Sequence, residues 1–330
     1  MRDAVDDLIW DEAPRQAGAV ALLDAPALLD DARTLTDDVR VWCDDWRDAE
    51  LVPAEYLVEH PTDLAGVDVA LARLPKSLGA LDEMCAVVQG ATDVTFIGGA
   101  RIKHLNRSMN EVLGRHFTAV SASLGRAKSR VLRAWGPNGL PNEWPKVREH
   151  PELGFAVAAH GATFGGTKID PGSRLLISAL AGAGRTPGLE GDDVLDFGCG
   201  NGTLTMWLAR QGRRVSATDV SWSAVAATAV AAEVNRVDVD VAWGPGLAAQ
   251  ADASVDAIVT NPPFHRGMAK DSEDTLAMFD DAPRVLRTGG QLWCVFNSHL
   301  PWRRELNDRV GPTRVAAQDP NYTVTVTTAR

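Results

Sequence analysis

The second half of the chain alternates between short strand-like runs and segments in which apolar residues recur at helical spacing. The strand-like runs predict strands at Asp193–Phe197, Arg214–Asp219, Val237–Trp243, Val255–Thr260 and Gln291–Phe296. The helical spacing predicts helices at Thr203–Arg210, Ser221–Asn235, Asp271–Leu286 (ended by Gly289-Gly290) and Arg303–Val310. Two late strands, Arg314–Ala317 and Tyr322–Thr328, are expected to pair as a hairpin. Because alternating strands and helices build a parallel sheet covered on both faces, this half predicts an α/β domain with an antiparallel edge.

The first half repeats the same rhythm more faintly. Strands are predicted at Gly18–Leu23, Val39–Cys43, Val67–Leu74, Asp93–Ile97, Thr118–Ala122 and Ser129–Ala134, and helices at Lys76–Val88 and Ile102–Leu113. The Gly-, Pro- and Asn-rich stretch that follows interrupts the pattern and is typical of a linker. We therefore expect one domain at 1–135, a linker at 136–150 and a second domain at 151–330.

Charge is distributed unevenly along the chain. The formal net charge of the 330 residues is −11, and the first 60 residues hold 16 acids and 5 bases, so the remainder is balanced. The total therefore does not exclude a nucleic-acid partner, although such partners favour a basic surface. The segment 101–133 has a single acid, Glu111, and these bases: Arg101, Lys103, Arg107, Arg115, Arg126, Lys128, Arg130 and Arg133. We expect the acidic N-terminal region to face away from RNA and this basic segment to contact phosphates.

The cysteines and the N-terminal residues indicate in which cellular compartment the protein is expected. The four cysteines, at positions 43, 85, 199 and 294, lack the close spacing of a zinc site or a disulfide framework. The N-terminus is acidic where a signal peptide would be basic, and the apolar runs are shorter than the ~20 residues of a membrane span. The sequence therefore predicts a cytoplasmic protein with no metal and no membrane partner.

A glycine-rich segment, Asp196-Phe-Gly-Cys-Gly-Asn-Gly202, lies between the first strand of the second half and its first helix. Glycines at this point allow a sharp turn and a close approach of the backbone to a ligand. The next strand ends in Asp219, whose carboxylate can accept hydrogen bonds from both ribose hydroxyls. Because no Lys-Ser/Thr pair follows the glycines, a triphosphate site is not indicated. The alternative is a tight turn that binds nothing.

A second segment, Asn261-Pro-Pro-Phe264, follows the strand predicted at Val255–Thr260. The first and fourth strands of a doubly wound sheet are neighbours, and ligands bind where they meet. The side-chain carbonyl of Asn261 and the main-chain carbonyl of Pro262 can both accept hydrogen bonds from a planar amine. Phe264 offers a face on which a base can stack, an interaction worth ~1–3 kcal/mol in single-stranded recognition. The alternative is a rigid turn with a core phenylalanine.

The two segments together resemble class I S-adenosylmethionine-dependent methyltransferases that modify amino nitrogens. Longer stretches resemble the bacterial ribosomal RNA guanine-N2 methyltransferases, the group of small-subunit methyltransferase C and large-subunit methyltransferase G, and are closer to the latter. The stretches that carry this likeness are Phe164–Ile177, Asn261–His265, Asn297–Trp302, Leu74–Leu78, Gly98–Lys103 and Lys128–Val131.

The resemblance implies two tandem Rossmann-like class I methyltransferase domains, of which the N-terminal one is degenerate and helps to hold RNA. It implies S-adenosylmethionine as cofactor and ribosomal RNA or a pre-ribosomal subunit as partner. The implied cofactor residues are Asp196, Gly198, Cys199, Gly200, Gly202, Asp219 and Asn261, and the implied catalytic residues are Asn261, Pro262 and Phe264. The implied substrate contacts are Pro263, Phe264, His265, Arg101, Lys103, Lys128 and Arg130.

Other activities are compatible with the same two segments. A protein glutamine-N5 methyltransferase uses a similar Asn-Pro-Pro-aromatic segment, and a DNA adenine-N6 enzyme is a further option. The basic segment and the duplicated first half count against the glutamine enzyme. A non-catalytic ribosome-assembly factor that retains a cofactor site is the alternative from another class. The intact Asn261-Pro-Pro-Phe264 segment argues against it.

Overall fold

A computed structural model divides the chain into two compact units. Unit 1 comprises Met1–Pro145 and His160–Ala162, and unit 2 comprises Lys146–Ala159 and Thr163–Arg330. The structure describes residues 2–89, 93–184, 187–262 and 269–330, with 269–273 as helical backbone only. No helix in these ranges is both long and apolar enough to cross a membrane.

A seven-stranded sheet forms the centre of unit 2. Its strands are β9 (Asp193–Phe197), β10 (Arg214–Asp219), β11 (Asp240–Trp243), β12 (Val255–Thr260), β13 (Leu286–Asn297), β14 (Thr313–Gln318) and β15 (Tyr322–Thr328). The order is β11-β10-β9-β12-β13-β15-β14, and β15 runs antiparallel to both of its neighbours, β13 and β14. This arrangement confirms the predicted α/β domain, its antiparallel edge and the adjacency of the first and fourth strands, β9 and β12.

The helices of unit 2 cover this sheet. They are α6 (Pro171–Ser178), α7 (Thr203–Arg210), α8 (Trp222–Asn235), α9 (Ala269–Val285) and α10 (Trp302–Arg309). The side chain of Ser221 caps α8 by accepting a hydrogen bond from the backbone N–H of Ala224. Helix α9 does not end at Gly289-Gly290, because β13 already begins at Leu286. The two glycines lie within β13, next to a shift in its register against β12.

A β-hairpin that the sequence analysis missed begins unit 2. Strands β7 (Lys146–His150) and β8 (Phe155–Ala159) pair in antiparallel register. Residues 146–150 were assigned to the linker, and that assignment is wrong. β8 is buried along its whole length and packs against α7 and α8, and its Ala156 exchanges two hydrogen bonds with the side chain of Asn235. The missed signal is this apolar run, which the Gly/Pro-rich stretch before it obscured.

Unit 1 contains a six-stranded sheet in the order β2-β1-β3-β4-β6-β5. The strands are β1 (Ala19–Leu23), β2 (Asp38–Trp42), β3 (Val69–Arg73), β4 (Thr95–Arg101), β5 (Phe117–Ala122) and β6 (Ser129–Pro137). The helices are α1 (Ala4–Asp11), α2 (Leu29–Ala32), α3 (Trp46–Ala49), α4 (Leu78–Val88) and α5 (Arg107–His116). β6 runs antiparallel to both of its neighbours, β4 and β5, as β15 does in unit 2.

The strand order of unit 1 equals that of unit 2 without its outermost strand β11. In this correspondence β1 matches β9, and β3 matches β12. The residue after β3 is the largely buried Leu74, where unit 2 has Asn261 after β12. The residues after β1 are Asp24-Ala-Pro, where unit 2 has its glycines. Unit 1 is therefore an α/β domain of the same plan without the residues that carry chemistry in unit 2.

Candidate functional site

The glycine-rich segment forms the turn from β9 into α7. Gly198, Gly200 and Gly202 have φ of 75°, 56° and 78°, a region that residues with a Cβ rarely adopt. The backbone N–H groups of Gly198 and Cys199 donate to the carbonyl of Thr218, at 2.8 and 3.1 Å, and so bind the turn to β10. A Cβ on Gly198 or Gly200 would meet no described atom within 4 Å. The turn therefore leaves open space in which a ligand can lie against the backbone.

Asp219 ends β10 beside this turn. One carboxylate oxygen accepts a hydrogen bond from the N–H of Gly200 at 3.1 Å, and the other accepts from the N–H of Ser221 at 3.0 Å. The carboxylate thus joins the turn after β9 to the start of α8. Each carboxylate oxygen can accept more than one hydrogen bond, and a carboxylate is an acceptor that suits the hydroxyl groups of a ligand.

Asp196, on β9, is completely buried. Its Oδ2 accepts a hydrogen bond from Thr205 Oγ1 at 2.5 Å, whereas its Oδ1 has no partner among the described residues. Burial raises the pKa of this carboxyl from 3.8 to about 7, against the opposing effect of the Thr205 hydrogen bond. A buried acid of this kind favours a cationic group nearby, because the cation offsets the cost of ionisation.

We expect Asp196→Asn to stabilise the ligand-free protein. Because the folded state holds the proton of Asp196 more tightly than the unfolded state, wild-type stability falls as pH rises from about 4 to about 7. At about 1.4 kcal/mol per pKa unit, the amide variant should gain roughly 2–4 kcal/mol at pH 8, and little at pH 4. Urea unfolding at both pH values measures this difference. The matched variant of an exposed acid, Asp240→Asn, should show no such gain, and equal gains in both variants would contradict the assignment.

Asn261 directly follows β12, whose last residue, Thr260, donates through Oγ1 to the carbonyl of Phe197 at 2.8 Å. This bond joins the ends of β9 and β12, so Asn261 and the glycine-rich turn lie at the same edge of the sheet. The side-chain N–H₂ group of Asn261 donates to Asp170 Oδ2 and to Ser173 Oγ, both at 2.9 Å. Pro262 is buried. Two segments that are far apart in the sequence therefore meet as the sequence analysis predicts.

The structure describes only some of the other residues that were predicted at this edge of the sheet. Cys199 is buried within the glycine-rich turn. Burial raises the pKa of its thiol well above the usual value, with Asp219 and Asp196 adding to the effect, so it remains a neutral thiol. Pro263, Phe264 and His265 lie outside the described residues, and their roles stay predictions.

Sequence reasoning did not assign a role to the segment that leads into α6. Asn201 Nδ2 donates to the carbonyls of Gly166 and Lys168, at 2.9 and 3.0 Å, and so attaches this segment to the glycine-rich turn. Asp170 caps α6 and, with Ser173, holds the Asn261 amide. Asp170-Pro-Gly-Ser is a recognisable helix start, with an N-cap acid followed by proline. The sequence therefore carries a signal for this helix, but no signal that Asp170 and Ser173 contact Asn261.

The basic segment of unit 1 is partly neutralised by the acidic N-terminal region. Arg126 pairs with Asp11, Arg133 with Glu12 at 3.1 Å, and Arg101 with Asp3 at 3.8 Å. Part of the acidic region thus lies against the basic segment, because α1 packs against β4 and β6. Gly99 on β4 permits this packing, since a Cβ there would lie 2.5 Å from Ile9 Cγ1. The expectation that the acidic region faces away from RNA stays a prediction.

Three predicted cations of unit 1 stay exposed. Lys103, Lys128 and Arg130 form no ion pair with any residue in the described part of the chain. The N–H of Ile102 donates to the carbonyl of Lys128 at 2.9 Å, so the turn after β4 lies against the β5–β6 hairpin. This contact brings Lys103 and Lys128 to the same end of the sheet. We call Lys103, Lys128 and Arg130 the exposed cations of unit 1.

Two family models match the chain. The Methyltransferase small domain matches residues 154–326, over half of the chain, and the RLMG N-terminal domain matches residues 49–137. The first match covers the site at the edge of β9, β10 and β12, and the second covers most of unit 1.

Named relatives are similar over most of the chain. The Ribosomal RNA large subunit methyltransferase G of Streptomyces avermitilis is 32% identical over 274 residues, which cover 78% of this chain and 70% of the relative. The Ribosomal RNA small subunit methyltransferase C of Alcanivorax borkumensis is 31% identical, with 83% and 84% covered. The solved structure of a T. thermophilus 16S rRNA N2 methyltransferase, in complex with AdoMet and guanosine, has a TM-score of 0.81 at 22% identity. It covers 100% of this chain and 92% of that one, which shows a shared fold.

Proposed function

The chain belongs to the ribosomal RNA methyltransferases that include large-subunit methyltransferase G and small-subunit methyltransferase C, and we propose that it methylates the exocyclic N2 amine of a guanine in ribosomal RNA. The methyl donor is S-adenosylmethionine, and the substrate is ribosomal RNA, free or within a pre-ribosomal subunit in the cytoplasm. The observation that carries this proposal is Asn261, whose amide has both N–H groups engaged beside the glycine-rich turn, while its carbonyl accepts no hydrogen bond from any described residue.

The residues of this edge fit the cofactor. S-adenosylmethionine supplies an electrophilic methyl group carried on a positively charged sulfur. The open space beside Gly198 and Gly200 admits a ligand, and Asp219 provides acceptors for ribose hydroxyls. The buried Asp196, with one oxygen unpartnered among the described residues, supplies negative charge that suits a cationic ligand. The fit therefore combines an open backbone turn with two carboxylates.

Asn261 and Pro262 hold the target amine. The lone pair of an exocyclic amine is delocalised into the ring, which makes the nitrogen a poor nucleophile. Hydrogen bonds from its two N–H groups to Asn261 Oδ1 and to the Pro262 carbonyl pull the nitrogen towards a pyramidal geometry and direct its lone pair. Positioning of this kind lowers the activation barrier by several kcal/mol. No side chain is assigned as a base, because the methylated amine is acidic enough to lose its extra proton to water.

The target base must leave its stack to reach this edge of the sheet, since a paired guanine keeps N2 inside the helix. Pro263, Phe264 and His265 remain the predicted contacts of the extruded base. An aromatic ring at position 264 would stack on it, as in single-stranded recognition. Asn261→Ala and Phe264→Ala thus test different parts of the site.

The exposed cations of unit 1 are the proposed phosphate contacts. We expect the double variant Lys128→Ala/Arg130→Ala to weaken RNA binding equally for all sequences, and to lower the slope of log affinity against log salt by about 2. Filter binding at several salt concentrations measures the slope. The control is Arg148→Ala, an exposed arginine on β7 of unit 2. An unchanged slope in the double variant would remove these residues from the interface.

Incubation with labelled S-adenosylmethionine separates the proposed function from its alternatives. Protein-free ribosomal RNA, assembled subunits and a release factor are offered separately, and labelled RNA is digested to nucleosides. N2-methylguanosine is the expected product. Label in the release factor would indicate glutamine-N5 methylation, and 6-methyladenine would indicate an adenine enzyme. If cofactor binds but no label is transferred, the chain is a non-catalytic assembly factor.

A further inference from the structure

The amide of Asn261 is held by two residues from a distant segment. Asp170 Oδ2 and Ser173 Oγ each accept a hydrogen bond from Asn261 Nδ2 at 2.9 Å, across 91 and 88 positions of the chain. Ser173 is 6% exposed, so its hydroxyl is buried against the amide. Asp170 and Ser173 stand at the N-cap and third positions of α6, and one helix turn therefore presents both acceptors.

Chemistry decides which way the amide faces. An ionised carboxylate accepts hydrogen bonds and donates none, so only the N–H₂ group of Asn261 can lie against Asp170. Reversal of the amide would place Oδ1 against the carboxylate and leave both N–H donors of Asn261 to face the ligand. In the observed orientation both N–H donors are used, and Oδ1 is the polar atom of the amide that has no partner among the described residues.

Capping of α6 does not account for this arrangement. A capping carboxylate needs only a backbone N–H of the first turn, and here the N–H of Ser173 donates to Asp170 Oδ2 at 3.1 Å. The same oxygen also accepts from Asn261. Gly172 makes room for it, since a Cβ there would lie 2.8 Å from Asp170 Oδ2 and 3.2 Å from the ring of Tyr322. The first turn of α6 is thus shaped around a carboxylate that faces Asn261.

We propose that Asp170 and Ser173 are positioning residues that fix the Asn261 amide as a hydrogen-bond acceptor, and that they thereby make the site selective for a base that presents an amine. The inference rests on the proposed function. Guanine offers N–H donors at N2, whereas the same base without its amino group offers none there. The negative charge of Asp170 also polarises the amide, because linked hydrogen bonds strengthen one another, and this makes Oδ1 a better acceptor.

The test uses Asp170→Ser in the full-length chain. Serine caps helices about as well as aspartate does, so α6 is retained. Its hydroxyl is one bond shorter, carries no charge, and can donate as well as accept, so it no longer fixes the orientation of Asn261. We expect kcat for ribosomal RNA to fall about 10–100-fold, as for a misplaced catalytic group. Affinity for S-adenosylhomocysteine, measured by calorimetry, should not change.

A binding measurement independent of turnover reports the orientation directly. Guanosine and inosine, which differ by the amino group, are compared in the presence of S-adenosylhomocysteine. Wild type should prefer guanosine, and Asp170→Ser should lose that preference. Ser173→Ala, which keeps the cap and removes one acceptor, should change both readouts in the same direction by less. Asp45→Ser, the same substitution at the cap of α3 in unit 1, is the matched control and should change neither.

Three results would overturn the inference. The first is a kcat and a nucleoside preference in Asp170→Ser that equal those of wild type. The second is a loss of kcat matched by an equal loss of S-adenosylhomocysteine affinity, which indicates general disruption. The third is a further loss of the same size when Asp170→Ser is added to Asn261→Ala, since a residue that acts through Asn261 has no effect without it. Failure of the proposed function is seen separately, as the absence of N2-methylguanosine with the wild-type chain.

Discussion

Replacement of Asn261 by alanine is expected to reduce methyl transfer to ribosomal RNA by about a thousandfold, the effect of removing one aligned hydrogen-bonding group from a preorganised site. The reason is geometric. Asn261 follows β12 directly, and Thr260 joins the end of that strand to Phe197 at the end of β9. The side-chain oxygen is therefore held at the sheet edge that carries the glycine-rich turn. Without it, the target amine loses one of its two acceptors and the direction of its lone pair.

Single-turnover assays with labelled S-adenosylmethionine measure the loss, and calorimetry should show that the variant still binds the cofactor. Asn307→Ala is the control, because Asn307 is an exposed asparagine on α10 of the same unit. Asn235→Ala is a second comparison, for an asparagine with a structural role, because in the described structure Asn235 bonds only to backbone groups of β8 and α8. Turnover of Asn261→Ala within a few-fold of wild type would remove this residue from the chemistry.

Replacement of Asp219 by alanine is expected to weaken cofactor binding by about 10–100-fold, because hydrogen bonds to a charged group are worth roughly 1.5–3 kcal/mol. Asp219 acts in two ways. Its carboxylate is the proposed acceptor for the ribose hydroxyls, and it also accepts from Gly200 and Ser221. Its removal therefore takes away ligand contacts and loosens the turn that receives the ligand. Equilibrium binding of S-adenosylhomocysteine measures the effect.

Asp240→Ala controls for the loss of an acid. Asp240 begins β11, which pairs with β10, and its side chain is exposed. Saturating cofactor should restore much of the turnover of Asp219→Ala, whereas it should not restore that of Asn261→Ala. If cofactor affinity is unchanged in Asp219→Ala, the ribose assignment is wrong.

Much of unit 2 could be predicted because its signals are local. The bounds of β9, α7, β10, β12 and β15 agree with the predictions to the residue. The central strands of unit 2 are short, largely buried runs bounded by turn residues and helical patterns, and these signals lie within a few positions of the chain. The predictions were wrong where a local signal has two meanings. Gly289-Gly290 was interpreted as a helix stop but lies within β13, and Lys146–His150 was placed in a linker but forms β7.

Local signals could not predict which charged residues form ion pairs. The sequence shows the acids of the N-terminal region and the bases of 101–133, but it does not show which of them pair. Asp11 and Arg126 are 115 positions apart, and Glu12 and Arg133 are 121 apart. These pairs exist because α1 packs on the sheet of unit 1. Lys103, Lys128 and Arg130 could be singled out as the exposed cations only after that packing was known.

The sequence alone determined which residues can carry chemistry: a glycine-rich turn after a buried strand, an acid at the end of the next strand, and an Asn-Pro-Pro segment after the fourth. Strand order follows from the alternation of elements, so the sequence also determined that these segments meet. Only the tertiary structure decided how Asn261 faces, because the acceptors that orient its amide, Asp170 and Ser173, come from a helix 91 and 88 positions away. Periodicity and turn residues act over a few positions of the chain, whereas the direction of a side-chain amide depends on which groups the completed fold brings against it.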